Sequence, residues 1–121
     1  MIHKYEELKF WQQSRTLAIL VYQKTEGFPD KEKYGLTSQI RRAAVSVLSN
    51  IEEGSARLSD KEFIRFMNIA MGSLYELSTQ VDISREIGYL SKEDFELIRK
   101  EVISITKMMS RFKSNLYSKM Q

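Results

Sequence analysis

Between residues 95 and 116 the apolar positions Phe95, Ile98, Val102, Ile105, Met109, Phe112 and Leu116 recur at alternating steps of three and four. An α-helix brings residues three and four apart onto one face, so this spacing predicts a long helix with a single buried seam. The preceding stretch repeats the pattern through Phe63, Met67, Ala70, Leu74, Leu77, Val81 and Ser84. A fainter stripe, Leu36, Ile40, Ala43, Val47, Ile51 and Gly54, marks the inner face of a second segment whose alanines let neighbouring helices come close. The first segment has Leu8, Trp11, Ala18 and Tyr22, with a broad apolar run over Leu17–Val21.

Breakers and caps divide these segments. Gly27-Phe28-Pro29-Asp30 holds the chain's one proline. Ser59-Asp60-Lys61-Glu62 has the form of a capping box, in which serine and glutamate reciprocally satisfy free backbone N–H groups. Gly88 ahead of Tyr89-Leu90 reads as a helix stop, and Ser91-Lys92-Glu93-Asp94 as an N-cap with acidic residues at the positive end of the helix dipole. Four helices follow, over 5–26, 34–57, 60–87 and 92–118. A helix of 28 residues is ~42 Å long at 1.5 Å per residue, so helices of this length share a core only by lying side by side. Short connections make sequential neighbours antiparallel. The expected fold is all-α, an antiparallel up-down-up-down four-helix bundle forming a single domain over residues 1–121.

Two helices carry a second stripe. On the third, Phe66, Ile69, Ser73, Glu76, Gln80, Ile83 and Ile87 step along a face beside the seam, apolar at its ends and polar in its middle. On the second, Gln39, Arg42, Ser46, Asn50, Glu53 and Arg57 form a polar band. One reading is a central helix beside a solvated face. The other is that both stripes meet symmetry mates in a homo-oligomer, because exposed Phe66, Ile69, Met71 and Ile87 would otherwise form a sizeable apolar patch. Glu53 and Arg57 are spaced to pair within their helix.

Composition narrows the chemistry. The chain's 121 residues suit one domain, and 42% hydrophobic with 29% charged residues suits one buried core. With no cysteine, thiolate metal sites, disulfides and cysteine nucleophiles are excluded. The one histidine, His3, stands near a terminus expected to fray, which excludes Ser-His-Asp machinery and the Glu-x-x-His pairs of di-iron bundles. Glu52 and Glu53 are adjacent and point about 100° apart, so they cannot act as one carboxylate pair. No catalytic residue, metal or cofactor is expected. The longest apolar run, Leu17–Tyr22, is far below the ~20 residues that cross a bilayer, and the N-terminal residues lack a signal peptide's apolar core, so a cytoplasmic protein with no membrane partner is expected.

Nineteen Lys and Arg against sixteen Asp and Glu give a net charge of +3, and no acid follows Glu101. The candidate nucleic-acid contacts are Arg41, Arg42, Arg57 and Arg65, with Lys107, Arg111 and Lys113 as nonspecific phosphate contacts. The candidate oligomer contacts are Gln39, Ser46, Asn50, Glu53, Phe66, Ile69, Ser73 and Glu76. For a single chain the charges read first as solubilising surface. The rival function is a protein–protein scaffold with no nucleic-acid role, recruiting a partner through the second stripe and the flank with Met71 and Tyr75.

The run Gly35-Leu36-Thr37-Ser38-Gln39-Ile40-Arg41-Arg42-Ala43-Ala44-Val45-Ser46, followed by Ser49-Asn50-Ile51-Glu52-Glu53-Gly54, resembles the four-helix-bundle family first noted in intervening sequences of bacterial 23S ribosomal RNA genes. Phe10-Trp11-Gln12, Tyr22 through Phe28-Pro29, Phe63-Ile64-Arg65-Phe66, Ile69 through Leu77 and Gly88-Tyr89-Leu90 fit the same pattern, nearly the whole chain in order. The resemblance implies a protomer that assembles as a ring-like homopentamer. It also implies kinship with the accessory variability protein of diversity-generating retroelements, a basic barrel that binds a reverse transcriptase and contacts nucleic acid. Members often carry proline after the Val-Ser pair of the second helix. Here Val47 follows Ser46, so the corresponding kink is not expected.

Overall fold

The computed structural model describes residues 4–120, so His3 lies outside the described residues. Four helices form the fold: α1 (Lys9–Lys24), α2 (Leu36–Ser55), α3 (Asp60–Glu86) and α4 (Lys92–Lys119). Short 3-10 turns at Tyr5–Glu7 and Asp30–Glu32 lie before and after α1. Each helix packs on two neighbours in the cyclic order α1–α2–α3–α4, most closely along α2–α3, and the backbones of the diagonal pairs stay apart.

Cross-helix contacts fix the antiparallel register. Ser46 meets Ser73 at 2.9 Å while Gly54 lies against Phe63, so α2 and α3 run in opposite directions. Gln13 reaches Glu101 at 2.7 Å and Lys24 reaches Asp94 at 3.1 Å, which sets α1 against α4. Trp11 donates to Glu52 and Arg41 to Thr25, which sets α1 against α2.

Every residue of the α3 seam from Phe63 to Ser84 is buried, as are Ile98, Val102, Ile105, Met109 and Leu116 of α4. Ile40, Ala43, Val47, Ile51 and Gly54 fill the α2 face. In α1 the buried face is Phe10, Ser14, Leu17, Ala18 and Val21. Leu8 and Trp11 are half-buried, and Tyr22, expected inside, is exposed. Its ring lies instead beneath the Arg41 guanidinium, 4.6 Å from the centroid.

The ends differ in three ways from the sequence expectation. α1 begins at Lys9, because Leu8 is extended (φ −78°, ψ 122°) and residues 5–7 form a separate 3-10 turn. α2 begins at Leu36, whose amide donates to the Glu32 side chain at 3.2 Å, so an acid four residues upstream does the capping. Ser59 accepts from the Glu62 amide as expected, but the Glu62 carboxylate turns to Arg65, leaving half of the capping box. α2 is continuous through Val47, and Ser91 caps α4 through the Asp94 amide at 3.0 Å. Gly88 has φ +89°, the left-handed geometry of a Schellman stop. The Tyr89 and Leu90 amides both return to the Ser84 carbonyl, and Leu90 is buried.

A Cβ at Gly54 would stand 2.8 Å from both Phe63 Cδ1 and Phe66 Cβ. Gly54→Ala is therefore expected to destabilise by about 1–3 kcal/mol, overpacking outweighing the ~1 kcal/mol of helix propensity that alanine brings. Gly72→Ala, with nothing within 4 Å of its Cβ, is the control and should stabilise slightly; denaturant melts of both variants check this.

The Tyr89 hydroxyl donates to Glu32 at 2.9 Å and its ring packs on Phe28, tying the α1–α2 connection to the α3–α4 turn. This hydrogen bond, with burial and the carboxylate's charge adding to it, holds the Tyr89 phenol above the ordinary 10.0. The folded state thus keeps its proton to higher pH than the unfolded state. That stabilisation is complete below pH 10.0 and lost as pH rises through the folded value. Tyr89→Phe should lower the melting midpoint at neutral pH, and the gap to wild type should narrow in melts above pH 10.0.

Candidate oligomer and nucleic-acid interface

The two polar stripes meet each other. Ser46 on α2 and Ser73 on α3 are hydrogen-bonded, and Asn50 donates to the Ser46 carbonyl and hydroxyl at 2.9 and 3.1 Å. The outer seam between α2 and α3 is thus polar in its middle, and its two serine hydroxyls and the Asn50 amide NH2 are hydrogen-bonded within one protomer. Glu76 accepts from Gln80 at 3.2 Å, while Gln39, Glu53 and Glu76 are exposed.

Around this seam the apolar patch is narrower than the sequence suggested. Met71 is buried and does not belong to it. Phe66 is half-buried, its ring between the Arg57 and Arg65 guanidinium groups at 4.8 and 4.5 Å. Ile69, Ile83 and Ile87 are exposed. Gln80, assigned to the second stripe, is only 7% exposed, and its side-chain oxygen Oε1 has no hydrogen-bond partner. α3 packs on two helices, so its buried arc is wider than one seam and takes in Met71 and Gln80 as well.

The seven cations divide by what they already hold. Arg41 donates to the Thr25 hydroxyl at 2.9 Å and the Tyr22 carbonyl at 3.2 Å, and pairs with Glu26 at 3.5 Å. It closes the C-terminal end of α1, where carbonyls lack intrahelical donors. Arg57 pairs with Glu53 at 2.7 Å and Arg65 with Glu62 at 3.2 Å. Lys113 donates to the neutral Asn68 side chain at 2.6 Å and keeps its charge uncompensated. Arg42, Lys107 and Arg111 are exposed and make no hydrogen bond or ion pair among the described residues. Lys107 and Arg111 stand one turn apart on the outer face of α4, away from Arg42 on α2.

No group of three or more acidic or histidine residues that could hold a metal ion occurs among the described residues. No described helix is long and apolar enough to cross a membrane. The chain is thus defined by its class first: an all-α bundle of four long antiparallel helices whose polar surface is built along helix seams. The family model described as 23S rRNA-intervening sequence protein matches residues 6–111, and the chain belongs to that family. Among solved structures it is similar to a protein of unknown function from the S23 ribosomal protein family of Bacteroides thetaiotaomicron VPI-5482. That similarity has a TM-score of 0.77 at 21% identity, over 86% of this chain and 97% of the other, and carries the fold alone. No curated protein matches the chain.

The engaged and free arginines predict opposite outcomes. Arg41→Ala should cost about 1 kcal/mol, a charged hydrogen bond discounted for partial exposure, whereas Arg42→Ala should stay within about 0.5 kcal/mol of wild type. Paired chemical-denaturation curves measure both.

Proposed function

We propose that this protein is a non-enzymatic homo-oligomer, a ring of five copies, that binds nucleic acid through cations repeated around the ring. The observation that carries the reading is the outer α2–α3 face, where Ile69, Ile83 and Ile87 are exposed on either side of a polar middle. Apolar side chains exposed there gain by leaving water. A neighbouring copy would cover them, and the exposed Gln39, Glu53 and Glu76 would set its register. Family membership supports the assembly through the resemblance to ring-forming bundles. Nucleic acid is the fitting ligand because Arg42, Lys107 and Arg111 have no carboxylate partner, and assembly multiplies them without adding compensating acids at those positions.

A scaffold without nucleic acid is the second reading, favoured by the exposed Tyr75 on the other flank of α3. Sedimentation velocity at micromolar protein with a labelled oligonucleotide, at 50 and 200 mM salt, separates the readings. Wild type should sediment as an oligomer that carries the oligonucleotide at low salt and loses it steeply at high salt. Ile83→Asp should dissociate the oligomer and weaken binding. A wild-type monomer contradicts the assembly, and an oligomer that ignores the oligonucleotide at 50 mM salt leaves the scaffold reading.

A further inference from the structure

The groove between α3 and α4 lies on the opposite flank of α3 from the polar seam. It has two depressions in line. Tyr75, Arg99, Ile103 and Lys107 line one, and Lys61, Asn68 and Tyr117 line the other. The Lys113–Asn68 hydrogen bond crosses between them. Tyr75 is 54% and Tyr117 47% exposed, so each offers ring surface to an outside group. Tyr75 lies level with Lys107, ten residues from Tyr117, which puts the two rings about 15 Å apart along the groove.

Cations outnumber carboxylates along it, with Glu62 lining the depression beside Tyr117. Lys61, Arg99 and Lys107 make no hydrogen bond or ion pair among the described residues, and Lys113 is bound only to a neutral amide. The carboxylates that come near are turned elsewhere: Glu62 pairs with Arg65, Glu76 accepts from Gln80 on the α2 side, and Glu101 accepts from Gln13 of α1. Asp82 stands beyond Tyr75, toward the C-terminal end of α3. Aromatic faces alternating with unneutralised cations along a groove are the pattern that holds a single strand, whose bases stack while its phosphates meet the cations. An acidic peptide would use the cations but has no need of two exposed tyrosine faces at this interval.

We infer that the α3–α4 groove is a binding track for single-stranded nucleic acid, with Tyr75 and Tyr117 as stacking platforms and Lys107 and Lys113 as phosphate contacts. The inference rests on the nucleic-acid reading above and assigns it a site that the arginines of α2 do not include. Its occupant lies along one protomer, so the track does not depend on the number of copies in the assembly.

The test is fluorescence anisotropy at 50 mM salt with a labelled 12-nucleotide oligo(dT), an abasic 12-mer with the same phosphates, and a labelled polyglutamate peptide. Wild type should bind oligo(dT) at least about tenfold more tightly than the abasic strand. The Tyr75→Ala/Tyr117→Ala variant should lose that difference, and Tyr75→Phe/Tyr117→Phe should keep it. Lys107→Ala/Lys113→Ala should weaken both strands alike. Circular dichroism melts establish that each variant folds; should the alanine pair fail to fold, the wild-type ratio of oligo(dT) to abasic affinity decides. Equal affinity for the two strands overturns the track and leaves the phosphate-binding reading standing. No binding of either strand overturns both. Tyrosine-dependent binding of polyglutamate without oligo(dT) binding gives the groove to an acidic protein segment and overturns the proposal.

Discussion

One run of contacts passes through all four helices. Gly54 of α2 has no side chain, so the Phe63 ring of α3 comes within 2.8 Å of where a Cβ would stand. The Phe63 ring meets Phe112 of α4 edge-on at 5.5 Å, and Phe112 meets Phe10 of α1 at 5.1 Å. Because Gly54 lets α2 and α3 approach here, the three rings share one layer and close that end of the bundle. The same approach brings Ser46 onto Ser73 and turns two separate polar stripes into one seam. Both proposed surfaces lie on the flanks of α3 that this packing sets.

The long seams of α3 and α4 were legible because each repeats without interruption, and burial follows it, complete along α3 and with Phe95 and Phe112 half-buried on α4. α1 was less legible: its inner face includes Ser14, whose hydroxyl is satisfied by the Phe10 carbonyl at 2.6 Å, and a hydropathy stripe does not register such a residue. Tyr22 was placed inside on spacing alone, whereas Arg41 sixteen residues beyond Thr25 draws that ring to the surface; no local pattern encodes such a pairing. Met71 and Gln80 were misplaced for a geometric reason, since a helix with two neighbours buries more than one stripe.

The candidate interface was legible as a list of cations but not as a division among them. Spacing alone gave the Glu53–Arg57 pair. It did not give Arg41 as the closure of α1, nor the double cover of Phe66 by arginines. Both depend on which helix lies alongside. The α3–α4 groove was hidden for the same reason: Tyr75 and Tyr117 stand 42 positions apart, and only the antiparallel register aligns them with Lys107 and Lys113. Packing accounts for Arg41, which finds the Tyr22 carbonyl of the neighbouring helix, whereas Arg57 and Arg65 pair locally and Lys107 and Arg111 find neither carbonyl nor carboxylate.

The central claim is that the protomer is incomplete by itself and is closed by further copies carrying nucleic acid. Native mass spectrometry of protein purified at low salt without nuclease treatment reads both parts in one spectrum. The account predicts five copies of the 14.2 kDa chain with heterogeneous nucleotide-sized adducts. A bare 14.2 kDa monomer would contradict it, since the exposed isoleucines of α3 would then face solvent in the native state.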